Sequence, residues 1–289
     1  MTEPRLRHVS CLDTRGLHRM AYWEWGDPAN PSVVVCVHGL TRQGRDFDAL
    51  ARDLCATRRV VCPDVVGRGR SDWLADPAGY AVPTYVADMV TLLARLDAEQ
   101  VDWVGTSMGG LIGIGVAALQ GSPVRRLVLN DVGPRIEPAA MLRIGSYVGQ
   151  GGTWPTVEAA AEAMWALSTG FGSHTREEWL ELTRPLLRPD GQGGWMLRYD
   201  PAIARPLQSI TPQLAAAGEA VLWQLYDGLR CPTLLLRGAQ SDLLSAQTAA
   251  QMSTRGPRAR LVEFEGVGHA PTLVHEGQRA VVRDFLLAP

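Results

Sequence analysis

The stretch Val101-Asp102-Trp103-Val104-Gly105-Thr106-Ser107-Met108-Gly109-Gly110 joins two different patterns. Val101 to Val104 is a short apolar, β-branched run that reads as a buried strand, and Met108 to Gln120 reads as a helix. Ser107 is left at the junction. A serine at so sharp a strand-to-helix turn stands clear of the backbone only if the residues two before and two after it are small. Gly105 and Gly109 meet that need and complete a G-x-S-x-G pattern.

Working outward, short β-rich runs alternate with longer amphipathic ones, the signature of a mostly parallel sheet with helices on both faces, an α/β fold. The expected strands are Met20 to Trp25, Ser32 to Val37, Arg59 to Cys62, Val101 to Val104, Leu127 to Asn130, Thr233 to Arg237 and Arg260 to Phe264. The expected helices of this core are Phe47 to Leu54, Tyr85 to Leu96, Met108 to Gln120, Ala246 to Met252 and Glu276 to Leu287. From Pro134 to Arg230 the alternation stops. Helical spacing (Val157 to Leu167, Glu177 to Leu187, Gln213 to Tyr226) takes over with no convincing buried strand. The chain therefore divides into a core of residues 1–133 and 231–289 and a helical insertion of residues 134–230. Five of the nine tryptophans (Trp154, Trp165, Trp179, Trp195, Trp223) lie in the insertion. Most such aromatics pack a core; one or two are expected to wall an apolar pocket.

Composition narrows the chemistry. With 289 residues, 46% of them hydrophobic, the chain buries a large core without disulfides or metal. The net charge of −2 is spread evenly, which gives no footing for nucleic acid or an anionic membrane. All 28 basic residues are arginine, so lysine-dependent chemistry is excluded. Cys11, Cys36, Cys55, Cys62 and Cys231 form no CxxC pair and no metal-type spacing with histidine, as expected of reduced thiols in a cytoplasmic protein. Residues 1–10 lack an apolar signal region, and no apolar run reaches the roughly 18 residues of a membrane span. Self-association into a homo-oligomer stays open.

Serine is a weak nucleophile unless a base lies within hydrogen-bond reach and a third group holds that base. His269, in the loop Gly266-Val267-Gly268-His269-Ala270-Pro271 after the last strand, is the expected base. Its rival, His275, falls at the start of the terminal helix. Asp242, closing the polar loop after the strand Thr233 to Arg237, is the expected acid. Its rival, Asp131, ends the strand Leu127 to Asn130, where capping the turn Asp131-Val132-Gly133-Pro134 is the plainer role. The oxyanion of an acyl-transfer intermediate needs two N–H donors. Met108, after the serine, is one; Leu40, in His38-Gly39-Leu40-Thr41 after a valine-rich strand, is the other. His38 fits a hydrogen-bonding structural role. The segment Asp64-Val65-Val66-Gly67-Arg68-Gly69-Arg70-Ser71 lacks P-loop spacing and lysine, and reads as a rigid turn.

Together, His38-Gly39, Asp64-x-x-Gly67-x-Gly69-x-Ser71, Gly105-Thr106-Ser107-Met108-Gly109-Gly110, Ser241-Asp242 and Gly268-His269 resemble the α/β-hydrolase superfamily, in its cap-bearing group of bacterial esterases, lactonases, carbon–carbon hydrolases and cofactor-free perhydrolases. The resemblance spans nearly the whole chain and is weakest over residues 134–230. It implies a triad of Ser107, His269 and Asp242, no cofactor, no metal, and a small acyl substrate: a carboxylic ester, a hydroxyalkanoate oligomer or a lactone. Carbon–carbon cleavage and perhydrolysis use the same triad. A triad-retaining ligand receptor and an oxygenase needing only His269 and Asp242 are the readings from other classes. Ser107 argues against the relatives that use an aspartate nucleophile.

Overall fold

The computed structural model describes residues 3–288. The chain begins with a hairpin, β1 (Arg5–Asp13) and β2 (Gly16–Trp25), and continues through β3 (Val33–Val37), α1 (Asp48–Leu54), β4 (Arg59–Pro63), α2 (Val82–Leu96), β5 (Val101–Thr106), α3 (Met108–Ala117) and β6 (Val124–Asn130). After it come α4 (Pro138–Tyr147), β7 (Thr153–Trp154), α5 (Val157–Leu167), α6 (Arg176–Thr183), β8 (Leu187–Pro189), β9 (Trp195–Leu197), α7 (Ala204–Gln208) and α8 (Pro212–Gly228). The core resumes with β10 (Thr233–Gly238), α9 (Ala246–Met252), β11 (Arg260–Phe264) and α10 (Glu276–Leu287).

Eight strands form one sheet in the order β1-β2-β4-β3-β5-β6-β10-β11, with only the pairings of β2 antiparallel. This is the architecture expected from the sequence, enlarged by β1. That strand presents mostly exposed residues, with only Val9 and Cys11 buried, so no apolar run marks it. The centre of the sheet is apolar on both faces. In β3, Val33, Val35 and Val37 pack with Met89, Leu92 and Ile112, whereas Val34 and Cys36 pack with Leu50, Leu54, Val282 and Leu286. The period of two thus sends alternate side chains into two cores, each fully buried aliphatic contributing about 1.5–3 kcal/mol.

The segment between β6 and β10 differs from expectation in its strands. It contains a small antiparallel sheet, β7-β9-β8, whose strands are only two or three residues long and too short to show a period. No helix among the described residues is long and apolar enough to cross a membrane. What matters for the site is register. Thr106 lies beside Asn130, Asn130 beside Leu236, and Gly238 beside Phe264, so the loops leaving β5, β6, β10 and β11 open on one edge of the sheet.

Candidate active site

Ser107 sits between β5 and α3 with φ 52° and ψ −117°, a left-handed backbone that a non-glycine residue adopts only under constraint. The constraint is visible. Its N–H donates to the Asn130 carbonyl at 2.9 Å, and its own carbonyl accepts from Gly110 N–H at 2.8 Å. The two flanking glycines are needed for contact: a Cβ on Gly105 would lie 2.3 Å from the Gly109 carbonyl oxygen, and one on Gly109 would lie 1.9 Å from that of Val37.

His269 Nε2 lies 2.9 Å from Ser107 Oγ. Its Nδ1 lies 2.7 Å from Oδ2 of Asp131, which has no exposed surface. The acid expected at Asp242 is thereby corrected. Asp242 turns away into a bidentate ion pair with Arg143 of α4, at 2.7 and 2.9 Å, with both side chains nearly half exposed. The Ser241-Asp242 loop contributes its other residue: Ser241 Oγ donates to Asp131 Oδ2 at 2.6 Å, and Gly238 N–H donates to Oδ1 at 2.9 Å. Three donors, Ser241 Oγ–H, Gly238 N–H and His269 Nδ1–H, thus converge on the Asp131 carboxylate. Asp131 itself has φ 57°, the signature of the tight turn that the sequence suggested. His275 donates instead to the Ser173 carbonyl at 2.9 Å.

On the other side of Ser107 lies the loop after β3. Gly39 packs so close that a Cβ there would stand 3.7 Å from Ser107 Cβ, bringing Leu40 to the cavity wall. No acceptor among the described residues takes the N–H of Leu40, and that of Met108 opens α3, where helical N–H groups are unpaired. His38 holds this loop from beneath. Its Nδ1–H donates to the Gly39 carbonyl at 2.7 Å and its Nε2 accepts from Val65 N–H at 2.9 Å. Burial pushes the His38 pKa down from 6.5 to about 3, so the ring is neutral and its tautomer is set. The segment from Asp64 is a rigid turn, as expected, with the buried Asp64 carboxylate accepting from the N–H groups of Gly44 and Arg70, both at 2.8 Å.

Ser107 and His269 open into a cavity of about 630 Å³ walled by Ile144, Tyr147, Met164, Leu167 and Phe171 of the insertion. Of the five tryptophans there, Trp154 alone lines it. Trp165 and Trp179 pack edge to face at 4.9 Å, and Trp223 stacks against Tyr226 and Arg255. Residues 134–230 also reach the loop of His269, since Gly268 N–H donates to the Gly170 carbonyl at 2.6 Å. Away from the cavity the fold gathers Cys11, His18 and Asp88, which sequence spacing did not suggest. There His18 Nε2 meets the Asp88 carboxylate at 3.0 Å, which ties β2 to α2.

Such a hydroxyl–imidazole–carboxylate line can draw a proton from Ser107 Oγ as it attacks a carbonyl, with the buried carboxylate stabilising the imidazolium. Comparison with known proteins agrees with that chemistry. Residues 34–284 match the model of the alpha/beta hydrolase family. The chain is 55% identical over 285 residues to 3-hydroxybutyrate-oligomer hydrolase of Cupriavidus necator, covering 98% of this chain and 97% of that one. It is 29% identical over 263 residues to pimeloyl-(acyl-carrier protein) methyl ester esterase of Neisseria meningitidis, covering 88% and 92%. An alpha/beta hydrolase from Novosphingobium aromaticivorans superposes with a TM-score of 0.86 at 37% identity over 99% of both chains.

Proposed function

Since the chain belongs to the alpha/beta hydrolase family, we propose that it is a serine hydrolase that cleaves carboxylic esters, with oligomers of 3-hydroxybutyrate as its substrate class. The observation that carries this reading is the unbroken line from Ser107 Oγ through His269 to Asp131, at 2.9 and 2.7 Å. Ser107 attacks the ester carbonyl while His269 takes its proton. The oxyanion is met by the N–H groups of Leu40 and Met108. His269 then protonates the departing alcohol, and water, activated by the same imidazole, releases the acid from the acyl-enzyme.

The substrate class rests on the 55% identity to the Cupriavidus enzyme and on the cavity, whose volume holds a drug-sized ligand rather than an acetyl group alone. Residues 134–230 act in this reading as a cap that supplies the acyl wall. Action in the cytoplasm is supported by five cysteines, none of them in a disulfide. The test is hydrolysis of 3-hydroxybutyrate dimer and trimer, and of p-nitrophenyl esters from acetate to octanoate, by wild type and Ser107→Ala. Wild type turns over, and Ser107→Ala loses about 10³-fold or more. Equal activity of the two proteins would remove Ser107 from its role.

A further inference from the structure

Arg68 carries a full positive charge and has no exposed surface. None of its close partners is a carboxylate. Nε donates to the Leu40 carbonyl at 2.8 Å, Nη1 to the Val66 carbonyl at 2.7 Å and the Tyr85 hydroxyl at 3.0 Å, and Nη2 reaches Met108 Sδ at 3.7 Å. The rings of Tyr80 and Tyr85 lie 5.6 and 5.1 Å from its guanidinium carbon. Every acceptor is neutral. The turn is built to aim this side chain inward. Gly67 and Gly69 flank it at φ 85° and 56°, and a Cβ on either would strike the Tyr80 ring at 2.6 Å or the Asp64 carboxylate at 2.2 Å.

A buried cation with no carboxylate among its hydrogen-bond partners is costly, and such an arrangement is useful where an anion forms transiently beside it. The two residues that Arg68 grips on the catalytic side, Leu40 and Met108, are the two whose N–H groups face the carbonyl under attack in the reading above. We propose that Arg68 is a positioning residue for the oxyanion hole: it locks the Leu40 loop and the Met108 side chain in place and holds a positive charge, hydrogen-bonded to no carboxylate, behind the developing oxyanion. This rests on the assignment of Leu40 and Met108 as donors. Its effect falls on the charged transition state and spares the neutral ground state, so it acts on kcat and leaves KM nearly alone.

The experiment measures kcat and KM for p-nitrophenyl butyrate, together with the inhibition constant of an alkyl trifluoromethyl ketone, whose adduct with Ser107 carries the oxyanion. Arg68→Met lowers kcat about 10²-fold, holds KM within threefold, and weakens the ketone by a factor matching kcat. Arg68→Lys, which keeps charge but loses the fork, falls between the two. A folded Arg68→Met with kcat and ketone affinity within twofold of wild type overturns the proposal. If Arg68→Met does not fold, Arg68→Lys decides, wild-type kcat and ketone affinity overturning and a loss in both at constant KM supporting. If both unfold, Tyr85→Phe decides on the same readouts, with a severalfold loss expected. Ser107→Ala run alongside separates the failures: an active Ser107→Ala sinks the nucleophile assignment itself, whereas an inactive one beside an undiminished Arg68→Met sinks only the role of Arg68.

Discussion

Asp131 and His269 are 138 residues apart in the chain, yet Oδ2 of one lies 2.7 Å from Nδ1 of the other, with Ser241 and Gly238 of a third loop donating to the same carboxylate. The His269 ring is thus held by a group that is itself held from two directions. Replacing that carboxylate by an amide turns the imidazole to the wrong tautomer. Asp131→Asn should therefore lower kcat by about 10⁴-fold, against Asp242→Asn within threefold of wild type. Steady-state ester hydrolysis by the two variants checks this. The half-exposed Arg143–Asp242 pair should also cost less than about 1 kcal/mol of stability when broken. A large kinetic loss in Asp242→Asn with little in Asp131→Asn would reverse the assignment.

Where the candidate site is encoded locally, its geometry was legible in the sequence. The turn at Ser107 needs small residues two positions either side, and Gly105 and Gly109 stand there; His269 follows the last strand in a glycine-bounded loop. The acid was not, because Asp131 and Asp242 both leave strands on the same sheet edge, after β6 and β10, which are neighbours. Only the three-dimensional path of the His269 loop selects between them. Arg68 was hidden for another reason. Arginine is normally solvated, and no periodicity marks one that two glycines turn inward. Strand β1 and the small sheet of the insertion escaped because one is largely exposed and the others span two or three residues.

The neutral His38 makes stability depend on pH. Its folded pKa lies near 3 against an ordinary 6.5, so its contribution is whole above about pH 6.5 and is lost as pH falls toward 3, where the unfolded chain takes up a proton that the folded one refuses. Between pH 6 and 4 the loss should be about 1 kcal/mol per pH unit. Urea unfolding of wild type and His38→Gln across this range measures it: the gap between the two proteins narrows as pH drops. Parallel curves would mean that His38 takes up its proton in the fold as readily as outside it.

Two glycines should respond oppositely to alanine. At Gly109 the new methyl would stand 1.9 Å from the Val37 carbonyl, so Gly109→Ala should lose more than about 3 kcal/mol or fail to fold. At Gly145, within α4, nothing lies within 4 Å of the added carbon. Gly145→Ala should gain about 0.5–1 kcal/mol. Thermal unfolding of both variants gives the comparison.

Acyl-chain preference should follow the cavity wall. Met164 of α5 lines it, so Met164→Trp fills space in the cavity. The ratio of kcat/KM for octanoate to that for acetate should drop about tenfold, while acetate itself changes little. An unchanged ratio would place the acyl chain elsewhere.

The hydrogen bond from Gly268 N–H to the Gly170 carbonyl joins the insertion to the residue preceding the base. Specificity and turnover are therefore not independent traits along that stretch: any sequence drift at Thr169–Phe171 that reshapes the pocket also shifts the loop carrying the imidazole. New substrate ranges can be explored at lower catalytic risk from α4, where Ile144 and Tyr147 border the cavity. A lineage descended from this protein should record that asymmetry, varying at Ile144 and Tyr147 and holding still between 169 and 171.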